Sequence, residues 1–289
     1  MDFDPVAYIS EPHWLESRLG LDRIQGLLDS LGKPQERLRF VHVAGTNGKG
    51  STCAFLAHIL QEAGFRTGLF TSPHIMEFSD RIQVDGTPIS SDELLSVTLA
   101  VKEKADAMSD HPTEFEIMTA VALEHFARRK CDIVVFEVGL GGRLDATNVV
   151  DAPELCVITP VGFDHTEVLG TTLGAIAWEK AGIIKQGVPL VSWPQEKEAM
   201  DVISQAAAER QAKLTIVDFA CLSVSANAGF KAPRAIDGVQ AKNDESAPKG
   251  TGQAHASGNA EAEAQAEAER GSQAASPDMH GGHVSRETF

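Results

Sequence analysis

The chain has 289 residues, of which 43% are hydrophobic, and its formal net charge at pH 7 is -16. Because contacts with nucleic-acid phosphates need a basic surface, this charge disfavours nucleic acid as a partner. No apolar run approaches the roughly 20 residues of a membrane span, and the acidic N-terminus lacks the pattern of a signal peptide. We therefore expect a cytoplasmic protein that needs no membrane, with a monomer as the default state.

Residues 1–219 alternate between apolar runs and helical patterns. The apolar runs predict buried strands at residues 38–44, 67–71, 132–138, 155–161, 189–193 and 213–219. The patterns between them predict helices at residues 51–63, 91–108, 114–129, 173–181 and 196–211. Strands that are apolar throughout and separated by helices are typical of a mainly parallel sheet covered on both faces, so an α/β fold is predicted. Such sheets bind ligands at the carboxyl ends of their strands.

The composition changes near residue 220. Residues 220–289 consist mostly of Ala, Gly, Ser, Glu, Gln and Asn, with almost no aromatic side chains. Such a segment buries too little apolar surface to offset the chain entropy lost on folding. The sequence therefore predicts one folded domain at residues 1–219 and a disordered, low-complexity tail at residues 220–289.

The four cysteines are far apart and form no C-x-x-C pair, which argues against both a disulfide framework and a zinc site. Three of them lie in apolar sequence, where a buried, reduced thiol is expected. The four cysteines are Cys53, Cys131, Cys156 and Cys221.

A glycine-rich segment follows the first predicted strand and precedes the first predicted helix. A strand, a glycine-rich turn, a lysine and a helix N-terminus together form a cradle for phosphate. The match to G-x-x-x-x-G-K-[ST] is imperfect, because Val43 occupies the first glycine position and Gly50 separates Lys49 from Ser51. A plain turn would explain the glycines but not the lysine. We predict that ATP binds to Gly45, Thr46, Asn47, Gly48, Lys49, Gly50 and Ser51.

Two charged residues stand out in apolar surroundings. Glu137 ends an apolar strand, where a carboxylate is unfavourable unless it is paired or bound to a metal, and Mg²⁺ prefers such oxygen ligands. Lys180 follows Trp178 on an apolar helix, where burial would lower the pKa of its amine. The alternative for Lys180 is a side chain that extends along the helix to water.

The segment at Thr113–Glu116 has the pattern of a helix start. Thr113 is expected to be the N-cap and Glu116 the matching residue of a capping box, which leaves Phe115 free to pack. Residues 72–88 are expected to form a long ordered loop of the kind that covers active sites. Arg81 in that loop has two open roles, binding substrate carboxylates or pairing with Asp80 or Glu77.

Longer motifs narrow the class of enzyme. Together they resemble the Mur ligase superfamily, and the GTNGKGS form of the phosphate loop resembles its folate branch, the folylpolyglutamate and dihydrofolate synthases. The resemblance covers most of residues 15–219. Besides the loop, it includes Leu21-Asp22-Arg23-Ile24, Thr71-Ser72-Pro73-His74, residues 136–148 (FEVGLGGRLDATN), Asp164-His165 and residues 179–185 (EKAGIIK).

The resemblance implies a reaction and a set of site residues. ATP would phosphorylate the carboxylate of dihydropteroate or a reduced folate, and the amine of L-glutamate would then form the amide. Lys49, Glu137, His165 and Lys180 would be catalytic. Two Mg²⁺ ions would be held by Ser72, Glu137, His165 and a carbamylated Lys180. The pterin would contact Thr113, Phe115, Asp145 and Ala146.

Other functions remain open at this stage. Ligases of this kind have a second, smaller domain where this chain becomes low-complexity, so we expect a truncated enzyme with weak folding and little turnover. The alternatives are a non-catalytic ATP-binding fragment, a kinase or transport ATPase with a P-loop, and a Mur-type ligase acting on a UDP-linked substrate.

Overall fold

A computed structural model describes residues 3–11 and 20–218, so the predicted tail at residues 220–289 lies outside the described residues. The helices are α1 (Pro5–Ile9), α2 (Asp22–Ser30), α3 (Lys49–Glu62), α4 (Ser91–Ala105), α5 (Glu114–Arg128), α6 (Thr166–Leu169), α7 (Leu173–Ala181) and α8 (Lys197–Glu209). The strands are β1 (Phe40–Ala44), β2 (Thr67–Phe70), β3 (Ile82–Val84), β4 (Thr87–Pro88), β5 (Ile133–Glu137), β6 (Leu155–Ile158), β7 (Leu190–Ser192) and β8 (Leu214–Ile216).

The described strands form one mainly parallel sheet in the order β4-β3-β2-β5-β1-β6-β7-β8. Only the pairs β2–β3 and β3–β4 are antiparallel. Every residue of β1 and β5 is buried, as expected for central strands covered on both faces. The predicted α/β class and parallel sheet are therefore confirmed.

Three apolar clusters cover the sheet. Phe40, Phe70 and Phe136 point to the face that α2, α4 and α5 cover, with Phe136 centred 5.4 Å from Phe40 and 5.1 Å from Phe70. Val43 lies in a second cluster, which α3 completes with Cys53. A third cluster joins β6 and β7 to α7 and α8. Since β1 contributes to all three, the strand that leads into the glycine-rich loop is fixed from both faces.

The predicted long loop at residues 72–88 is wrong in part. A short 3-10 helix at Phe78–Arg81 is followed by the hairpin β3–β4, which extends the sheet at one edge. Asp85 and Gly86 turn the hairpin with positive φ angles of 51° and 71°. An Asp-Gly pair between two short strands is a strong hairpin signal, and Pro88 is tolerated because β4 is an edge strand.

Most predicted strands extend one to three residues beyond the observed ends. The strand predicted at residues 155–161 ends at Ile158, because the following residues leave the sheet to contact the glycine-rich loop. The cysteine prediction is confirmed for Cys53, Cys131 and Cys156, which are buried and unpaired. Within residues 3–11 and 20–218, none of the helices has the length and apolar character that crossing a bilayer requires.

Candidate active site

The glycine-rich loop connects the carboxyl end of β1 to the N-terminus of α3. Gly45 has φ +149°, and a Cβ added there would lie 1.8 Å from Thr159 Oγ1, so only glycine fits without movement. Gly48 has φ 78° and is the N-cap of α3. The backbone amides of Thr46 and Asn47 donate to the carbonyl of Pro160 over 2.8 and 3.2 Å. The loop is thus anchored to the chain that follows β6.

Lys49 is the first residue of α3, two residues earlier than the predicted helix start. Its Nζ donates to the carbonyl oxygen of Thr46 at 3.3 Å, across the loop. The first amides of an α-helix have no acceptor within the helix, and its dipole favours negative charge at this end. The arrangement can therefore bind an anionic group such as phosphate.

Glu137 lies beside the loop because β5 pairs with β1, in the register Val43↔Glu137. Its side chain is 3% exposed, and its Oε2 accepts a hydrogen bond from the amide of Ser72 at 3.1 Å. A Cβ added to Gly50 would lie 3.5 Å from the same oxygen. Burial raises the pKa of Glu137, while the Ser72 amide and the charge of Lys49 act in the opposite direction. A bound cation would stabilise this buried charge.

Lys180 on α7 is buried, at 3% exposure, so the alternative of a lysine extending to water is wrong. Its Nζ donates to the carbonyl oxygen of Gly45 at 2.9 Å. Burial and then the nearby charge of Lys49 lower the pKa of Lys180 to about 8, against the opposing charges of Asp164 and Asp145. The amine of Lys180 therefore loses its proton more readily than that of an exposed lysine.

His165 is the N-cap of α6 and has a positive φ of 46°. Its imidazole is 58% exposed, and Nε2 lies 3.6 Å from Asp164 Oδ1. The same loop is linked to the phosphate loop through Gly162, whose amide donates to Thr46 Oγ1 at 3.0 Å. Among the described residues, no group of three or more His, Cys, Asp and Glu side chains is arranged to hold a metal.

A cavity of about 520 Å³ opens at the carboxyl ends of β1, β2 and β5. It brings together the phosphate loop from Thr46 to Ser51, Glu137 and Ser72. Four more lining residues were not predicted as site residues: Thr71, His74, Asp80 and Gln83. Thr71 and His74 belong to the Thr71–His74 motif, and their position after β2 was a usable signal. Arg81 Nε donates to His74 Nδ1 at 3.2 Å, in place of the predicted pairing with Asp80 or Glu77. Binding of Arg81 to a substrate carboxylate stays a prediction.

The helix start at α5 has the predicted form. Thr113 is the N-cap, and Thr113 and Glu116 make the reciprocal hydrogen bonds of a capping box. Glu116 is buried and also accepts from Arg23 Nε at 3.1 Å. Phe115 packs against Gly139 so closely that a Cβ there would lie 2.4 Å from Cζ of its ring. The structure therefore brings Phe115 to the chain that directly follows Glu137.

Asp145 organises the loop between β5 and β6. Its side chain is 6% exposed, and burial raises its pKa against the effect of several hydrogen bonds. Oδ2 accepts from the amide of Leu140 at 2.8 Å, and Oδ1 accepts from the amide and hydroxyl of Thr147. The neighbouring Ala146 is buried at the start of a 3-10 helix.

Comparison with known proteins gives consistent matches. Residues 43–223 match the Mur ligase middle domain. The chain is 46% identical over 228 residues to a dihydrofolate synthase/folylpolyglutamate synthase of Bacillus subtilis, which covers 75% of this chain and 53% of that protein. It is 40% identical over 204 residues to a dihydrofolate synthetase of Saccharomyces cerevisiae, covering 69% and 48%. The chain thus spans about half the length of these curated relatives.

Solved structures agree with this match. The apo form of L. casei FPGS superposes with a TM-score of 0.71 at 40% identity, covering 74% of this chain and 53% of that one. An FPGS-AMPPCP-folate complex superposes with a TM-score of 0.70 at 39% identity and the same coverage.

Proposed function

Because the chain belongs to the Mur ligase middle domain family, we propose that it is the ATP- and folate-binding part of a ligase that joins L-glutamate to dihydropteroate or a reduced folate. The observation that carries this proposal is the buried Glu137 carboxylate beside the phosphate loop. Two lysines also contact the loop: Lys49 donates to the Thr46 carbonyl and Lys180 to the Gly45 carbonyl. The similarity to a folylpolyglutamate synthase complex with AMPPCP and folate supports the same substrates.

The reaction begins with transfer of the γ-phosphoryl group of ATP to the substrate carboxylate, which gives an acyl phosphate and ADP. The amine of L-glutamate then attacks the acyl carbon, and phosphate leaves as the amide forms. Phosphoryl transfer depends mostly on positioning and on stabilisation of charge. The amides at the start of α3 and the ammonium of Lys49 bind the phosphates, while Lys180 holds Gly45 in place.

The residues beside the loop suit magnesium. Glu137 offers a buried carboxylate, and Ser72 offers a hydroxyl at the same cavity. Mg²⁺ usually keeps several waters and needs only one or two protein ligands, so this small donor set is sufficient. When bound, the ion would neutralise phosphate charge. We also propose a second ion, held by His165 and a carbamylated Lys180. The support for this second site is the resemblance of the sequence motifs.

The folate end of the site would lie at the loop that follows Glu137. The half-buried ring of Phe115 can stack on a flat heterocycle, and Thr113 and Asp145 supply polar atoms near it. Ala146, next to Asp145, completes this proposed surface. The cytoplasmic location and the monomeric state stay predictions.

Binding of two ligands tests the proposal on the purified chain. We expect AMPPCP to bind more tightly with Mg²⁺ than without it, and pteroate to bind in its presence, both measured by calorimetry. The ligation step is tested with ATP, dihydropteroate and labelled L-glutamate. We expect little turnover, with one ADP formed for each product that is one glutamyl unit longer.

The alternatives give different outcomes in the same experiments. Nucleotide binding without pteroate binding or product would indicate a non-catalytic ATP-binding protein. Phosphate release that does not depend on glutamate would indicate a kinase or transport ATPase. Binding of a UDP-linked substrate in place of pteroate would indicate a different ligase of the Mur group.

A further inference from the structure

A buried chain of three polar side chains connects the middle of β1 to the loop that follows β5. His42 Nε2 lies 2.9 Å from Thr147 Oγ1, and the hydroxyl of Thr147 is bonded to Asp145 Oδ1. His42 and Thr147 have no exposed surface, and Asp145 is 6% exposed. We call these three residues the relay.

The proton positions in the relay follow from the chemistry of its members. Asp145 accepts hydrogen bonds from the amides of Leu140 and Thr147 and from the Thr147 hydroxyl, which is the pattern of an acceptor carboxylate. Because the hydroxyl hydrogen points to Asp145, Thr147 Oγ1 can only accept from His42. The imidazole therefore carries its proton on Nε2, and Nδ1 is unprotonated.

Packing alone does not explain a histidine at position 42. The side chain lies on a central strand near the Phe136 ring, 6.1 Å between ring centroids, in surroundings that suit an apolar residue. Its Nδ1 is buried and has no hydrogen-bond partner among the described residues. Burial and the charge of Lys185 lower the pKa of His42 to about 3, so the ring is neutral. The unpaired acceptor Nδ1 is unfavourable in a buried position. The gain from having a histidine here is therefore the hydrogen bond that its Nε2–H donates.

The relay ends at the backbone beneath Phe115. Asp145 fixes the amide of Leu140, and the preceding residue, Gly139, is the one against which the Phe115 ring packs. We propose that His42 and Thr147 are positioning residues that hold Asp145, and through it the wall of the pteridine pocket. The inference rests on the proposed function for the identity of that ligand.

A matched pair of variants tests the relay. Thr147→Val removes the hydroxyl at nearly constant shape, whereas Thr147→Ser keeps it. We expect Thr147→Val to raise the Kd for pteroate at least tenfold and to change the Kd for Mg²⁺–AMPPCP less than twofold. Thr147→Ser should stay within twofold of the parent chain for both ligands. His42→Leu should behave like Thr147→Val, and His42→Gln, which keeps a donor near the Nε2 position, should recover part of the affinity.

A second measurement needs no ligand. Nitrogen NMR of the histidine-labelled parent chain reports which ring nitrogen carries the proton, and His42→Gln assigns the signal. We expect the Nε2–H tautomer, unchanged from pH 8 to pH 5. An Nδ1–H tautomer would overturn the relay, as would unchanged pteroate binding in Thr147→Val. If the parent chain binds AMPPCP but no pteroate, the folate part of the proposed function fails, and the tautomer then decides the relay by itself.

Discussion

The ammonium group of Lys180 lies 2.9 Å from the carbonyl oxygen of Gly45, the first residue of the phosphate loop. The two residues are 135 positions apart in the chain, so a helix from a much later part of the sequence fixes the start of the loop. The unmodified ammonium has opposite effects on stability and on binding. Its burial is unfavourable for folding, yet it adds positive charge beside the proposed phosphate site. Carbamylation would replace this positive charge with a negative one.

Lys180→Met is expected to weaken binding of Mg²⁺–AMPPCP by about tenfold, equivalent to about 1.4 kcal/mol. The substitution removes both the hydrogen bond to Gly45 and a nearby positive charge. Thermal unfolding should show no loss of stability, since a poorly solvated charge is removed. Lys197→Met, at a position 87% exposed on α8, is the control and should leave the Kd unchanged. Equal affinity in the two variants would contradict the role given to Lys180.

Gly45→Ala is expected to lower the free energy of unfolding by about 2 kcal/mol or more and to weaken nucleotide binding. The new methyl group would lie 1.8 Å from Thr159 Oγ1, so the loop or the chain just after β6 must move. Gly20→Ala is the matched control, because Gly20 also has a large positive φ, of 140°, but its Cβ would meet no atom within 4 Å. Urea unfolding of both variants separates the clash from backbone strain, and equal losses would argue against the clash.

Glu137→Gln is expected to abolish the tightening of AMPPCP binding by Mg²⁺ while raising stability by about 1 kcal/mol. The amide oxygen of the new side chain can still accept from the Ser72 amide. The negative charge is gone, and burial disfavours that charge, as the raised pKa of the Glu137 carboxyl indicates. Calorimetry with and without Mg²⁺ measures the first effect and thermal unfolding the second. Glu62→Gln, on the exposed surface of α3, should change neither. An undiminished response to Mg²⁺ would exclude Glu137 as the ligand.

His42 is expected to make the protein less stable as the pH falls. Its pKa is lowered from 6.5 to about 3 in the folded state, so below pH 6.5 the unfolded chain binds a proton that the folded chain does not. Stability contributed by the neutral ring is therefore present above pH 6.5 and is lost on acidification. From pH 7.5 to pH 5.5 the loss is about 1 kcal/mol.

Urea unfolding at these two pH values measures this loss. His42→Gln should lose about 1 kcal/mol less than the parent chain over this interval. His58→Gln changes the same residue type at an exposed position of α3 and should keep the parent's dependence. An identical dependence in all three proteins would show that His42 does not titrate as a buried neutral ring.

Periodicity was sufficient to predict the parallel strands and the helices between them, since apolar runs and amphipathic patterns are local. The hairpin β3–β4 was missed although Asp85-Gly86 signalled it, because the strands are only three and two residues long. Their pairing with β2 is a tertiary contact, which local patterns do not contain.

The residues of the candidate site also fall into two groups, those that local sequence predicts and those that only tertiary contacts reveal. The phosphate loop, Glu137 and the Thr113 cap could be predicted because each is defined by neighbours in sequence or by the end of a strand. The bond between His42 and Thr147 could not, since the residues are 105 positions apart and neither is unusual alone. His165 shows the reverse, a motif residue whose side chain is exposed in the structure. Its proposed role stays a prediction.

The strand order has a consequence for how the protein opens. β1 is hydrogen-bonded to β5 on one side and to β6 on the other, and each of these neighbours has its own outer partner. An edge strand such as β4 can separate by itself in a local fluctuation, whereas β1 can leave only when the sheet divides. The amide protons of Val41 and Val43 should therefore exchange with solvent only through global unfolding. The strand that precedes the phosphate loop therefore belongs to the part of the domain that unfolds last.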